Sequence, residues 1–145
     1  MAYFKVDIPN DLLNGILQCN SEEVCKEILE RAAEPLEESI KKELANHKDT
    51  GDLQSSIKAG KPYLNKDGFW QITISPKGYS GHHFYGGKNH NRKYKLSNAA
   101  KAIFMEYGTS HQAATPFLNR ATNNAQHDTL STMQETFERL TKQED

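Results

Sequence analysis

The sequence predicts an α+β fold in which a small, mostly antiparallel sheet packs against a long N-terminal helix and a C-terminal helix. Two long stretches, 20–47 and 115–141, repeat apolar residues at helical spacing. A short stretch, 69–75, alternates apolar and polar residues as a half-buried strand does. Because 145 residues is about the length of one domain, we expect a single domain over 1–145.

The N-terminal residues predict a short strand and then a short helix. Apolar residues alternate over 3–8, and Pro9 ends the strand or extended arm that they form. Asn10 or Asp11 then caps a helix that runs to Leu17. The chain starts without the long apolar stretch of a secretory signal, and no apolar run reaches the roughly 18 residues of a membrane span. We therefore expect a cytosolic protein that does not enter a membrane.

A long amphipathic helix follows. Asn20 and Glu23 form a capping box that opens it, and the pattern continues to about His47. Pro35 lies inside the pattern and removes one backbone donor, which can kink or divide a helix over 31–34. We expect one helix that bends there. The apolar residues that recur every four positions are Val24, Ile28, Ala32, Leu36, Ile40 and Leu44.

The middle of the chain predicts β structure. Residues 53–59 are interpreted as a helical turn that leads into a strand. The Asn-Lys-Asp-Gly sequence at 65–68 is a hairpin turn signal, and Pro76 ends the strand that follows it. The side of this strand that we expect to face the core carries Trp70, Ile72 and Ile74.

Residues 77–95 predict a long loop that is mobile in the isolated subunit. They hold four glycines and five basic residues but few apolar ones. Ordering each residue costs roughly 1–2 kcal/mol of backbone entropy, so we expect a neighbouring subunit or DNA phosphates to order the loop. The alternative is that Phe84 and Tyr85 form a short strand that docks on the domain's own sheet. The basic side chains predicted to contact DNA or a partner are Lys88, Arg92, Lys93 and Lys95.

Two helices are predicted for the C-terminal third. Ser97 caps a helix over 98–107. Thr115 and Pro116 begin the last helix, which frays at 142–145. The apolar stripe of the last helix consists of Phe117, Leu118, Ala121, Ala125, Leu130, Met133, Phe137 and Leu140.

The charge is near neutral overall but unevenly distributed. The net charge is -5 over 1–58, +7 over 59–101 and -3 over 102–145, which gives -1 for the chain. This layout favours subunit pairing or one basic face for a polyanion. The alternative is two solvated acidic helices that flank a basic loop.

No combination of residues predicts an enzyme or a metal site. His82 and His83 are adjacent, so on a strand they point to opposite faces, and His90 has no Cys or acidic partner at a metal-ligand spacing. The sequence contains no Gly-x-Ser-x-Gly elbow, P-loop or dinucleotide-binding glycine pattern. The two cysteines, Cys19 and Cys25, do not define a disulfide framework. We expect a protein that is not an enzyme, with no catalytic residue, no metal and no cofactor.

The segment 50–57, Thr-Gly-Asp-Leu-Gln-Ser-Ser-Ile, is predicted to be scaffold. Thr50 caps the following turn, and Gly51 takes a positive φ. Leu53 and Ile57 bury one face of that turn. Ser56 belongs to the same motif.

Two later segments, 104–110 and 113–118, are also interpreted as scaffold. They read Phe-Met-Glu-Tyr-Gly-Thr-Ser and Ala-Ala-Thr-Pro-Phe-Leu. Glu106 either pairs with a basic partner or accepts backbone donors near 108–110, while Phe104 and Tyr107 are predicted to be core. The other motif members are Gly108, which ends its helix, Thr109, and Pro116, Phe117 and Leu118, which begin the last helix.

Together and in this order, the three segments resemble the small tail-component and neck family of long-tailed phages and prophages. Members of that family are described as head–tail joining or tail-completion proteins. The resemblance covers residues 20–140. This chain departs from the family at Thr115, where the family usually has Ala, Arg or Lys, and in its long basic 77–95 segment.

The resemblance implies a non-enzymatic structural protein of a phage or prophage particle. Its subunits would form a closed ring at the head–tail junction, with six as the expected number, on either the head side or the tail side. The implied partners are further copies of the chain, other head-completion, tail-terminator or tail-tube proteins, and DNA phosphates in the channel. The implied location is the bacterial host cytoplasm during assembly and then the neck or tail of the virion.

Two other functions are alternatives to this one. A small nucleic-acid-binding regulatory protein would use the basic 86–95 segment, but the chain lacks a helix-turn-helix pattern and its pI of about 6.6 is low for a dedicated binder. A toxin or hydrolase would need a reactive site, and the sequence contains none of the usual motifs for one.

Overall fold

The computed structural model describes residues 4–7, 22–47 and 51–142, and within them the fold is α+β, as predicted. The predicted helix after Pro9, the capping residue Asn20, Thr50 and the last three residues of the tail lie outside the described residues. The elements in chain order are β1 (Phe4–Asp7), α1 (Glu22–Ala45), α2 (Asp52–Ser56), β2 (Ile57–Ala59), β3 (Tyr63–Leu64), β4 (Trp70–Pro76), β5 (Tyr79–Gly86), β6 (Arg92–Ser97), α3 (Asn98–Tyr107) and α4 (Phe117–Lys142).

Helix α1 supplies the largest share of the core. Pro35 lies within it without dividing it, so the prediction of one continuous helix is confirmed. Proline removes only one backbone donor, and the buried apolar residues on both sides of it hold the helix together. The buried residues are Val24, Cys25, Ile28, Leu29, Ala32, Ala33, Leu36, Ile40 and Leu44.

Helix α4 packs antiparallel to α1. The hydroxyl of Ser39 donates to the carbonyl of Ala121 at 2.9 Å, near the start of α4. At the other end, Arg139 donates to Glu27 at 2.6 Å. Neither helix, nor any other in the described residues, is long and apolar enough to cross a membrane.

The apolar stripe of α4 is largely confirmed. Phe117 is completely buried, and Ala121, Ala125 and Met133 are buried with it. Leu130 is exposed, however, because the inward positions on this part of the helix are taken by threonines. The threonines are Thr129 and Thr136.

Strand β4 is the centre of the main sheet. It pairs antiparallel with β1, β2 and β3, and its inward residues Ile72 and Ile74 are buried against α1. The predicted hairpin turn before it is confirmed: Gly68 has a φ of 85°, and the Asn65 side chain accepts hydrogen bonds from two backbone amides of the turn. Trp70 is partly buried at the same edge, with the Lys26 ammonium 5.6 Å from its ring centre.

The predicted long loop over 77–95 is wrong, because β5 and β6 form an antiparallel hairpin there. Phe84 and Tyr85 do lie in a strand, but the strand pairs with β6 in a separate two-stranded sheet and not with the main sheet. Backbone hydrogen bonds between the strands supply the order that apolar burial does not. We refer to β5, β6 and their connection as the hairpin.

Candidate functional site

The hairpin is the most exposed element of the fold. Of β5 and β6 only Ser80 is buried, and four aromatic side chains are exposed on the two strands. Its register pairs Phe84 with Tyr94 and, one step along, Tyr85 with Lys93. Because successive residues of a strand point to opposite faces, the hairpin has one face of stacked rings and one face with lysines. The exposed aromatic residues are Tyr79, Phe84, Tyr85 and Tyr94.

The ring face is held by one aromatic pair. The rings of Phe84 and Tyr94 are stacked with their centres 5.3 Å apart and their planes 22° apart. Gly86 lies beside them, and a Cβ at that position would be 3.3 Å from the Tyr94 ring. An aromatic pair of this kind contributes about 0.5–1.5 kcal/mol beyond its buried area. The stack therefore stiffens a hairpin that has almost no core of its own.

The opposite face is basic. Lys93 and Lys95 lie on it, two residues apart on β6, with Tyr85 and His83 as their cross-strand neighbours. Residues 77–97 contain five basic residues and no acidic residue. Within the described residues, no carboxylate forms an ion pair with any of the hairpin's cations. The sequence-predicted contact residues Lys88, Arg92, Lys93 and Lys95 therefore lie together on one exposed element.

Hydrogen bonds anchor the base of the hairpin to the domain. The Asp52 carboxylate accepts from the backbone amide of Gly81 at 3.0 Å. Asn98 is buried, and its side-chain amide donates to the Lys77 carbonyl at 2.9 Å. Ser80 donates to the Leu96 carbonyl across the two strands at 3.0 Å. The base of the hairpin is thus tied to the domain, and the two strands project beyond it.

Sequence reasoning missed Asp52 and Asn98 as functional residues. Asp52 occupies the variable position of the first motif, and its carboxylate accepts a hydrogen bond from the Gly81 amide, 29 positions further along the chain. The available signal was an Asn at the first position of a helix that follows a basic strand. The structure shows that this side chain is buried, and a buried polar side chain needs a partner. Nothing local in the sequence identifies that partner as Lys77.

The first motif forms the support beneath this anchor. Gly51 has a φ of 81° and begins α2, and Leu53 and Ile57 are buried, as predicted. Ser56 is buried too, and its carbonyl accepts from the Lys77 amide at 3.1 Å. The motif therefore connects the main sheet to the base of the hairpin.

The second motif connects to the third through Glu106. Its carboxylate accepts from the backbone amides of Leu118 at 2.9 Å and Asn119 at 3.3 Å, at the start of α4. The prediction that it accepts donors near 108–110 is thus wrong about the donors. A carboxylate at this position satisfies unpaired amides and favours the positive end of the helix dipole. Glu106 therefore caps α4, which is the role that the sequence predicts for Thr115.

The end of α3 agrees with the sequence prediction, but the two aromatic residues of this helix do not. Gly108 ends α3, as predicted, and a Cβ there would lie 2.8 Å from the backbone nitrogen of Ala114. Thr109 donates its amide to the Gln112 carbonyl at 2.9 Å within the same tight connection. Phe104 and Tyr107, however, are 43% and 78% exposed, so their prediction as core is wrong. The inward positions of α3 are taken instead by Asn98, Ala102 and Met105.

An acidic stripe runs along the exposed side of α1. Five glutamates follow one another at spacings of four, three, four and four residues, which places them on one side of the helix. Glu27 within it binds Arg31 and Arg139, and the Arg139 hydrogen bond, above all, holds the pKa of Glu27 below its ordinary value. We define the acidic stripe as Glu23, Glu27, Glu30, Glu34 and Glu38.

The described residues contain no group of three or more His, Cys, Asp or Glu side chains arranged to hold a metal ion. The three histidines of the hairpin are all exposed. The hairpin presents a basic surface and the acidic stripe presents an acidic one, so each is suited to a surface of the opposite charge.

Comparison with known proteins adds no relative. No family model, curated protein or solved structure matches the chain. The function of the hairpin and of the acidic stripe is therefore inferred from their geometry and charge.

Proposed function

We propose that the chain is a non-enzymatic structural protein of a phage or prophage particle, which assembles as a ring at the head–tail junction. The observation that carries this proposal is the exposed hairpin, which presents aromatic and basic side chains while its base is fixed to the domain. Exposed aromatic and basic residues grouped on one projection are typical of a surface that binds another macromolecule.

The three motifs support this proposal as scaffold. The first motif holds the base of the hairpin, and Glu106 joins the second motif to the third at the start of α4. A rigid subunit with a projecting hairpin suits head-to-tail contacts, in which two different surfaces meet and a closed ring leaves neither exposed. Six subunits remain the expected number. Cations near the ring channel would contact DNA phosphates without reading base sequence.

Native mass spectrometry and negative-stain electron microscopy of the full chain test the assembly. We expect one discrete ring species at micromolar protein. Replacing both Phe84 and Tyr85 with Ser should convert the ring to monomers. Circular dichroism should show that these monomers are folded. Leu130→Ser, which changes an exposed apolar residue on α4 away from the hairpin, is the matched control and should leave the ring intact. A wild-type chain that stays monomeric even near its solubility limit would contradict the proposal.

A second candidate, the small nucleic-acid-binding regulatory protein, is favoured by one observation, the absence of any acidic residue over 77–97. The two functions differ in how they treat DNA. A ring subunit should bind duplex DNA weakly, without sequence preference, and lose binding steeply as salt rises. A regulator should select one sequence strongly over others, so fluorescence anisotropy with a library of duplexes separates the two.

A further inference from the structure

We infer that the acidic stripe on α1 is the docking site for the hairpin of a second copy of this chain. This inference rests on the proposed ring assembly and identifies the two surfaces that would form each contact. None of the charged residues that would form the contact belongs to the three motifs.

Most carboxylates of the acidic stripe form no ion pair within the described residues, although Lys26 and Arg31 line the same surface depression. Within the described residues, Lys26 binds Glu22, outside the stripe, and both Arg31 and Arg139 bind Glu27. The other stripe members are exposed and form no ion pair or hydrogen bond with any described residue. These members are Glu23, Glu30, Glu34 and Glu38.

The hairpin carries the opposite charge, and its cations are likewise unpaired within the described residues. Its outer half carries four exposed cations, and no described carboxylate pairs with them. Carboxylates on one surface and cations on another, neither paired with a described residue, are complementary between two copies. The cations of the basic face are Lys93 and Lys95, while Arg92 lies on the ring face and Lys88 lies in the connection.

The spacing of the charges also matches. Lys93 and Lys95 are two residues apart on one face of a strand, or about 7 Å at strand rise. Glu30 and Glu34 are four residues apart on a helix, or about 6 Å at helix rise. The whole acidic stripe spans about 22 Å, and β6 spans about 17 Å. A hairpin laid along α1 would therefore place Lys93 and Lys95 at the spacing of two successive stripe carboxylates.

The geometry requires two chains. Within the described residues the hairpin packs at its base on α2 and α3, whereas α1 packs on α4, on the main sheet and on the other side of the hairpin's support at α2. The two surfaces consequently belong to different parts of one subunit and meet when a second subunit is present. A contact between two different surfaces is heterologous, and repetition of it produces a closed ring when the rotation closes.

A second copy fits these charges better than a nucleic acid does. Phosphates would neutralise the hairpin but would leave the exposed carboxylates of Glu23, Glu30, Glu34 and Glu38 as they are. Pairing between copies neutralises both surfaces. The near-neutral net charge of -1 is consistent with a chain whose charges balance on assembly.

Charge reversal on each surface tests the inference. The first variant carries Lys93→Glu and Lys95→Glu, and the second carries Glu30→Lys and Glu34→Lys. Each variant alone would place like charges at every contact, so we expect its association to weaken at least about tenfold near 0.15 M salt. The control is Glu135→Lys, an exposed glutamate on α4 outside the stripe, which should assemble as the wild type does.

Mixing the two variants gives the sharper result. A reversed hairpin fits a reversed stripe, and each remaining wild-type surface fits its wild-type counterpart. Rings with the two variants in alternation should therefore form only in the mixture, with an even number of subunits. Because recovery on mixing requires folded subunits, it also excludes misfolding as the cause of the separate defects.

Several results would overturn the inference, and they are separable from failure of the proposed function. If the wild type forms rings and both reversed variants do so equally well, the contact lies elsewhere and the ring assembly stands. If the variants fail to assemble alone and also when mixed, the pairing is wrong. If reversing the hairpin abolishes DNA binding while reversing the stripe leaves assembly unchanged, nucleic acid is the partner of the hairpin. If the wild type never assembles, the proposed function itself fails.

Discussion

The Glu106 carboxylate is expected to stabilise the start of α4, and its removal gives a prediction of defined size. Glu106→Ala deletes the acceptor for the amides of Leu118 and Asn119, which lie 2.9 and 3.3 Å from the carboxylate oxygens. Loss of a helix cap costs about 0.5–2 kcal/mol, and loss of a negative charge at a helix N-terminus costs about 0.3–1 kcal/mol. We therefore expect the free energy of unfolding to fall by about 1–3 kcal/mol.

Urea denaturation followed by circular dichroism measures this change. All variants are compared at one dilute protein concentration, because assembly would raise the apparent stability. Glu106→Gln keeps one side-chain oxygen but removes the charge, so its loss should be smaller than that of Glu106→Ala. Glu135→Ala removes an exposed glutamate from α4 and should change stability by less than about 0.5 kcal/mol. Equal stability of Glu106→Ala and Glu135→Ala would refute the capping role.

Three further changes test the packing and the charges. Phe117→Ala truncates a completely buried ring and should cost about 3–5 kcal/mol, so a wild-type-like urea transition would contradict its central place in the core. Gly108→Ala should destabilise more than Gly68→Ala in the same assay, because both glycines have positive φ but only at Gly108 would the new Cβ meet backbone, at 2.8 Å. Glu27→Gln should cost under about 1 kcal/mol at pH 7, since the pair with Arg139 is partly exposed. The lowered pKa of Glu27 means that this contribution is present above the ordinary glutamate pKa and disappears as pH falls through the lowered value, so the two proteins should be equally stable in strong acid, and a difference that persists there would contradict the ion pair.

The long helices and the central strand could be predicted because their patterns are strong and local. Apolar residues recur every four positions along α1, and each recurrence reports the same buried face. The turn over 65–68 and Pro76 mark both ends of β4 by residue chemistry alone. Ser97 and Gly108 likewise mark the ends of α3, and the cap hydrogen bond from Ala100 to Ser97 is formed.

The hairpin could not be predicted in the same way because neither of its faces is buried. A strand is recognised by alternation between a buried and a wet side, and Phe84 and Tyr94 are exposed together on one face. The anchors of the hairpin, Asp52 and Asn98, are far from its tip in sequence. Their hydrogen bonds exist only once the domain has folded.

The errors at the second motif have a similar origin. The sequence predicts backbone donors for Glu106 as one of two alternatives, and the structure shows such donors, but they lie 12 and 13 residues further along the chain. Tyr107 was expected in the core because it is aromatic, yet α3 turns Ala102 and Met105 inward. In a ten-residue helix, composition does not decide which face is covered.

Cross-linking within mixed rings tests the central claim most directly. Equal amounts of unlabelled and nitrogen-15-labelled chain are assembled, and a carbodiimide joins carboxylates to amines that already touch. Mass spectrometry then reads each joined pair of peptides. We expect links from Lys93 or Lys95 to Glu30 or Glu34. In half of these linked pairs, one peptide should be labelled and the other unlabelled. Rings that are joined only through other residues, or links in which both peptides always carry the same label, would contradict it.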